Sequence, residues 1–259
     1  EMLDDDDLFD FLDDSDSDFD LPTPSRFFGR RRDRDENSQP PTPLLDKYGR
    51  DLNRQAADGK IGPAIAREDE IRAVARTLAR SKKNNPLLLG DAGVGKTAVV
   101  EGLAYAINNQ TAPSSLENKR IIQIEIGMLI AGTSLRGQFE ERLVGIVDEI
   151  KNSGNCILFI DEMHTIVGAG DTIDSNLDAA NILKPALARG EIMCIGATTH
   201  EEYRRAIAQD QALDRRFRTI DIEEPGIEDS ITILTGQRTK LEEHHGVVIQ
   251  QETINAAVK

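Results

Sequence analysis

The stretch that most limits what this chain can fold into is Gly90-Asp91-Ala92-Gly93-Val94-Gly95-Lys96-Thr97. It follows the apolar run Pro86-Leu87-Leu88-Leu89 and precedes Val99, Leu103 and Ile107 at helical spacing. It fits G-x-x-x-x-G-K-[ST] in the strand–loop–helix setting that the pattern needs. The glycines let backbone N–H groups close around phosphate oxygens, and the helix N-terminus adds its dipole. The Lys96 ammonium can reach the β and γ phosphates, and the Thr97 hydroxyl can coordinate Mg²⁺. A glycine turn that happened to precede Lys-Thr would explain the loop but not its flanks.

A strand that ends in such a loop needs partners. Four further short apolar runs supply them: "RIIQIEI" from Arg120, "CILFID" from Cys156, "IMCIGATT" from Ile192 and "RTIDIEE" from Arg218. Helical stripes flank them, Ile71, Val74, Ala75 and Leu78 before the first and Phe139, Leu143, Ile146, Val147 and Ile150 between two others. Five strands alternating with helices predict an α/β fold, a parallel sheet with helices on both faces and its chemistry in loops at the strands' carboxyl ends. Beyond Pro225 the pattern is helical only. The expected organisation is a leader over 1–43, a nucleotide-binding unit over 44–224 and the start of a small all-helical lid over 225–259. Glu1 and Lys259 read as the ends of a fragment.

Charge is uneven along the 259 residues. Residues 1–45 hold 14 acidic and 5 basic side chains, so nine of the 15 excess negative charges sit there and the body is only mildly acidic. The leader, "EMLDDDDLFDFLDDSDSDFD", alternates carboxylates with Leu and Phe. Its self-repulsion exceeds any burial it can achieve alone, so disorder is expected, either as a solubilising leader or as a tail that docks its aromatics on a partner. "NSQPPTP" closes it with prolines that disfavour helix. The balance argues against nucleic acid as main partner, because counterion release needs a dense cationic footprint. No run of 18 apolar residues suggests a membrane span. Cys156 and Cys194 lie in apolar runs and read as reduced core thiols of a cytoplasmic protein.

The second chemical feature is Asp161-Glu162 at the end of "CILFID". Two adjacent acids on a buried strand repel and resist desolvation unless a cation is present. Mg²⁺ answers this for Asp161, and Glu162 is then placed to polarise the water attacking the γ-phosphate. Thr198-Thr199 end the next strand, where a hydroxyl could hold that water or the phosphate, or simply cap the strand end. Arg215 and Arg216, with only Asp214 as an obvious local acid, either pair structurally or project to a phosphate in a neighbouring subunit. His164 evokes the DE-x-H box of helicases but could equally pack in the following helix. His244 and His245 read as solvated.

With these residues in hand, the chain from about Leu44 onward resembles the first nucleotide-binding domain of the Clp family of AAA+ unfoldases and disaggregases, the short ClpL, ClpE or ClpC type in particular. The matching stretches are "LLDKYGRDLN", "NNPLLLGDAGVGKTAVVEGLA", "RGQFEERL", "ILFIDEMHTIVGAG", "NILKPALARGEI", "IGATTHEEYR", "ALDRRFR" and "EEHHGVVI", in collinear order. The resemblance implies a ring, usually a homohexamer, with ATP held between subunits. It implies Thr199 as the first sensor, Arg215 and Arg216 as fingers on the neighbour's nucleotide, and Ile65 and Leu234 near the adenine. It also implies an axial-channel loop at Ser134, Leu135 and Arg136, where relatives commonly carry Lys-Tyr-Arg-Gly and Leu135 stands for the aromatic grip. Clients would be unfolded or aggregated proteins, with a peptidase or adaptor as further partner. A second departure is Ala66, where relatives commonly have glycine. Two other classes remain: a nucleic-acid motor of the helicase or clamp-loader type, prompted by "DEMH", and an assembly module that binds ATP without hydrolysing it.

Overall fold

The computed structural model describes residues 40–130, 136–167 and 179–259. The acidic leader, and the proposed channel-loop residues Ser134 and Leu135, lie outside them. The helices are α1 (Pro43–Tyr48), α2 (Leu52–Ala57), α3 (Glu68–Leu78), α4 (Lys96–Asn108), α5 (Ile126–Ile130), α6 (Arg136–Ser153), α7 (His164–Val167), α8 (Ala179–Arg189), α9 (His200–Glu202), α10 (Gln211–Asp214), α11 (Ile227–His245) and α12 (Gln251–Val258). The strands are β1 (Gly49–Asp51), β2 (Asn85–Leu89), β3 (Arg120–Ile124), β4 (Cys156–Ile160), β5 (Met193–Thr198) and β6 (Phe217–Asp221).

The five apolar runs become β2 to β6, all parallel, but the sheet has six strands in the order β1-β3-β4-β5-β2-β6. The five-strand expectation is corrected by β1, a three-residue edge strand running antiparallel to β3. "GRD" carries no apolar alternation, so nothing in its pattern marks it as a strand. It is held in place by neighbours: Arg120 bridges Asp46 and Asp51 at 3.0 and 2.8 Å.

Both sheet faces are apolar, as expected of parallel strands covered on each side. Leu87, Leu89, Leu158 and Cys194 point toward α6 and α8, where Phe139, Leu143, Ile146, Leu183 and Leu187 are buried. Leu88, Ile157, Phe159 and Ile195 point the other way, toward α2, α3 and α4. Cys156 and Cys194 occupy adjacent strands as free, buried thiols. Burial is the main cause that raises both thiol pKa values, which leaves them protonated and unreactive. Among the described residues no helix is long and apolar enough to cross a membrane.

Candidate nucleotide site

The glycine loop leaves β2 and enters α4. Gly93 and Gly95 take φ of 84° and 100°, a region that a side chain would strain, and Gly95 is the N-cap of α4. A methyl group at Gly90 would collide with the Ile222 carbonyl oxygen just beyond β6. Lys96 Nζ donates to the carbonyls of Gly90 and Asp91 at 2.9 and 2.8 Å, so its ammonium is folded over the loop that it has to serve.

Behind the loop stands a residue to which the sequence reading gave no role. Arg67 is buried, donating from Nη2 to the Val94 carbonyl at 2.7 Å and from Nη1 to Glu70 at 2.7 Å. It is the N-cap position of α3 and follows Ala66, whose φ is 56°. The only signal available was a lone arginine at the end of the apolar "GPAIAR". Ala66 therefore occupies the left-handed backbone that the missing glycine would have taken without strain.

Asp161 and Glu162 follow β4, which is separated from β2 by β5. Thr97 Oγ1 donates to Asp161 Oδ2 at 2.9 Å, which closes that gap. Asp161 Oδ1 accepts from the Glu162 N–H at 3.0 Å. Glu162 is exposed with φ of 53°, a left-handed conformation costing about 1–3 kcal/mol in a non-glycine residue. Ala92, Gly93, Gly95, Lys96, Thr97 and Ala98 share a cavity of about 550 Å³ with Asp161, Glu162, Thr198 and Thr199.

Thr198 and Thr199 are handled differently from one another. Thr198 is buried and donates to Glu202 Oε2 at 3.0 Å. Thr199 caps α9 in a capping box: its Oγ1 accepts from the Glu202 N–H at 3.3 Å, and its own N–H donates to Glu202 Oε2 at 3.1 Å. The capping alternative thus describes the Thr199 acceptor, while the hydroxyl proton can still be directed into the cavity that Thr199 lines. Desolvation opposes ionisation of Glu202, yet the bonds from Thr199 and Thr198, with His164 nearby, hold its carboxyl below the ordinary value. His164 Nδ1 lies 3.0 Å from Glu202 Oε2 and 3.2 Å from Thr198 Oγ1, so it belongs to this network. Sequence reasoning passed over Glu202, although Thr199-x-x-Glu202 is the spacing of a capping box.

A second cavity of about 720 Å³ runs from the loop to α11. Ile61, Pro63, Ala64 and Ile65 line one side, and Ile233 and Gly236 the other. A Cβ at Gly236 would collide with Ile65 Cδ1, so this glycine lets α11 approach the segment before α3. Leu234, expected beside Ile65, is not among the lining residues. Ile233, one position earlier in α11, lines the cavity instead, since consecutive residues on a helix point about 100° apart.

Arg215 and Arg216 are exposed and line neither cavity. They precede Phe217, which pairs with Asn85 five residues before Gly90, roughly 16 Å down the strand from this chain's own loop. Asp214, the acid that could have paired them, instead accepts from the Tyr203 hydroxyl at 2.7 Å. Arg136 begins α6 in the structure, next to the undescribed residues 131–135. His244 and His245 are exposed in the last turn of α11.

A loop that cradles phosphate, a hydroxyl–carboxylate pair at its mouth and a parallel sheet that brings them together define a P-loop nucleotide-binding protein. More narrowly, the chain belongs to the ATPase family associated with various cellular activities, AAA, whose model matches residues 86–221, and an AAA lid domain model matches 226–259. It is 54% identical over 218 residues to an ATP-dependent Clp protease ATP-binding subunit, a ClpA homolog from Guillardia theta, and 52% identical over 218 residues to the ClpC subunit of Staphylococcus aureus. These alignments take in 84% of this chain and 26% of each relative. The chain thus spans about a quarter of the curated relatives it matches. Among solved structures, the S. cerevisiae Hsp104-ADP complex superposes with a TM-score of 0.75 at 43% identity, covering 82% of this chain and 36% of that one. An extended-conformation Hsp104:casein complex superposes with a TM-score of 0.74 at 42% identity, covering 83% and 36%.

Proposed function

We propose that this chain binds ATP with Mg²⁺ and hydrolyses it as one subunit of a cytoplasmic homo-oligomeric ring, a hexamer, and that turnover drives unfolding or remodelling of polypeptide clients. The observation that carries the reading is the Thr97–Asp161 contact at 2.9 Å inside the cavity that Lys96 and Glu162 also line.

The hydroxyl and carboxylate form a hard, all-oxygen donor pair, which suits Mg²⁺. When bound, the ion would neutralise charge on the β and γ phosphates. The chain's own groups do the rest. Loop N–H groups hold phosphate oxygens, and Lys96 exchanges the Gly90 and Asp91 carbonyls for them. Glu162 orients the attacking water and takes its proton, and Thr199 offers its hydroxyl to that water or to the γ-phosphate. Ile65 and Ile233 supply apolar walls for the base. Arg215 and Arg216, remote from their own loop and unpaired with Asp214, reach the nucleotide of an adjacent subunit. The likeness to the Hsp104:casein complex supports a polypeptide client, and the Clp protease relatives support a peptidase or adaptor as a further partner.

Turnover and mass of the intact chain, measured with and without ATP, test this. Wild type should turn over ATP as an oligomer. Glu162→Gln should bind nucleotide without turnover, and Arg215→Ala should bind it while losing roughly 10³-fold or more in rate. Turnover unaffected by Glu162→Gln would overturn the proposal.

A further inference from the structure

The exposed arginine pair is one residue away from a carboxylate that ought to capture it. Asp214 ends α10 and directly precedes Arg215 and Arg216. Asp214 is the nearest carboxylate in sequence to both guanidinium groups, and an ion pair with either would hold it in a charge-assisted hydrogen bond. In this structure Asp214 pairs with neither; its Oδ1 instead accepts from the Tyr203 hydroxyl at 2.7 Å. Tyr203 is held firmly enough for that role. It opens the π-helical turn Tyr203–Ile207, immediately after the Glu202 that closes the capping box on Thr199, and it packs against the buried core. The other end of α10 is also fixed: Asp210 caps it by accepting from the N–H groups of Ala212 and Leu213, and is ion-paired with Lys184 of α8. The short helix that precedes the arginines is therefore pinned at both ends, while neither guanidinium group has a hydrogen-bonding or ion-pairing partner among the described residues.

We infer that Tyr203 is a positioning residue for the arginine pair: by holding the Asp214 carboxylate, it keeps Arg215 and Arg216 free to engage the phosphates of the adjacent subunit. This rests on the proposed action of the arginines between subunits. It also ties the two ends of one subunit together. Glu202, which takes up Thr198 and Thr199 beside the nucleotide cavity, and Tyr203, which holds the arginine platform, are consecutive residues. The hydrogen bond to Asp214 is the main cause that raises the phenol pKa, to about 12, so Tyr203 stays a donor across the physiological range.

Mixed rings separate this role from a general structural one. Subunits carrying Glu162→Gln keep their arginines but have a dead site; subunits carrying both Arg215→Ala and Arg216→Ala keep their site but lack arginines. Turnover in the mixture comes only from arginines of the first acting on sites of the second. Adding Tyr203→Phe to the Glu162→Gln subunit should lower that turnover by about ten-fold, the scale of one hydrogen bond to a charged group. Adding Asp214→Asn as well should restore it, because the neutral amide no longer captures an arginine. Unchanged turnover with Tyr203→Phe would overturn the inference. A loss that Asp214→Asn does not restore would also overturn it, making Tyr203 a strut for α10. A parent mixture with no turnover would overturn the inter-subunit reading of the arginines, and this inference with it.

Discussion

Replacing Arg67 by methionine removes a guanidinium while nearly keeping its volume, and the result should be felt at the nucleotide. The side chain is 7% exposed and makes two bonds of 2.7 Å, one to the Val94 carbonyl within the glycine loop and one to Glu70, itself 23% exposed. A bond to a charged group is worth about 1.5–3 kcal/mol. Glu70 regains water when its partner leaves, so the Val94 contact dominates, and the summed loss comes to about 3 kcal/mol. At about 2–4 °C per kcal/mol for a domain of this size, Tm should fall by roughly 6–12 °C. Loss of the brace also frees loop backbone that nucleotide must then order, at roughly 1–2 kcal/mol per residue fixed, which weakens ATP binding about ten-fold or more. Thermal unfolding and titration with ATP, each repeated on Arg67→Lys, measure both effects. Lysine can keep one of the two contacts and should fall between. A Tm loss with unchanged affinity would refute the brace, and a fall below about 2 °C would refute the energetic argument as well.

Ala66→Gly should raise stability by about 0.5–1 kcal/mol, since relief of left-handed strain outweighs the added freedom of the unfolded chain; an unchanged or lower denaturation midpoint would contradict the strain assigned to φ 56°. The depressed Glu202 pKa stabilises the fold above the ordinary value of 4.5, and that contribution is lost as pH falls through the lower folded value. Wild type and Glu202→Gln should therefore differ in Tm at pH 7 and converge under acid, whereas parallel curves would count against the capping-box account. If the loop at Ser134 and Leu135 grips the translocating chain, Leu135→Tyr should speed unfolding of a stable client, because an aromatic ring offers more contact than an aliphatic side chain; unchanged rates would remove that loop from the working contacts.

The strands and the three long helical stripes were legible because burial on both faces leaves uninterrupted apolar runs and 3.6-residue spacing in the sequence. The phosphate loop and the paired acids were legible because their chemistry leaves few alternative residues. β1 was not, since a three-residue edge strand is specified by its partners rather than by its own pattern. The part of α11 that faces the second cavity was not legible either, because none of its residues is buried and its pattern offers no sharp stripe to fix rotation. Arg67 and Tyr203 escaped because their importance lies in a tertiary partner, Val94 in one case and Asp214 in the other.

The strand order also dictates when the molecule becomes competent. β5 lies between the strand that carries Asp161 and the strand that carries the glycine loop. A growing chain that has reached Val167 already contains the phosphate loop and the paired acids, yet β5, which separates their strands in the sheet, is still to come at Met193–Thr198. Non-local parallel pairing of this kind forms slowly. On this strand order, nucleotide binding is expected to come late in folding, with ATP stabilising chains whose central sheet is complete.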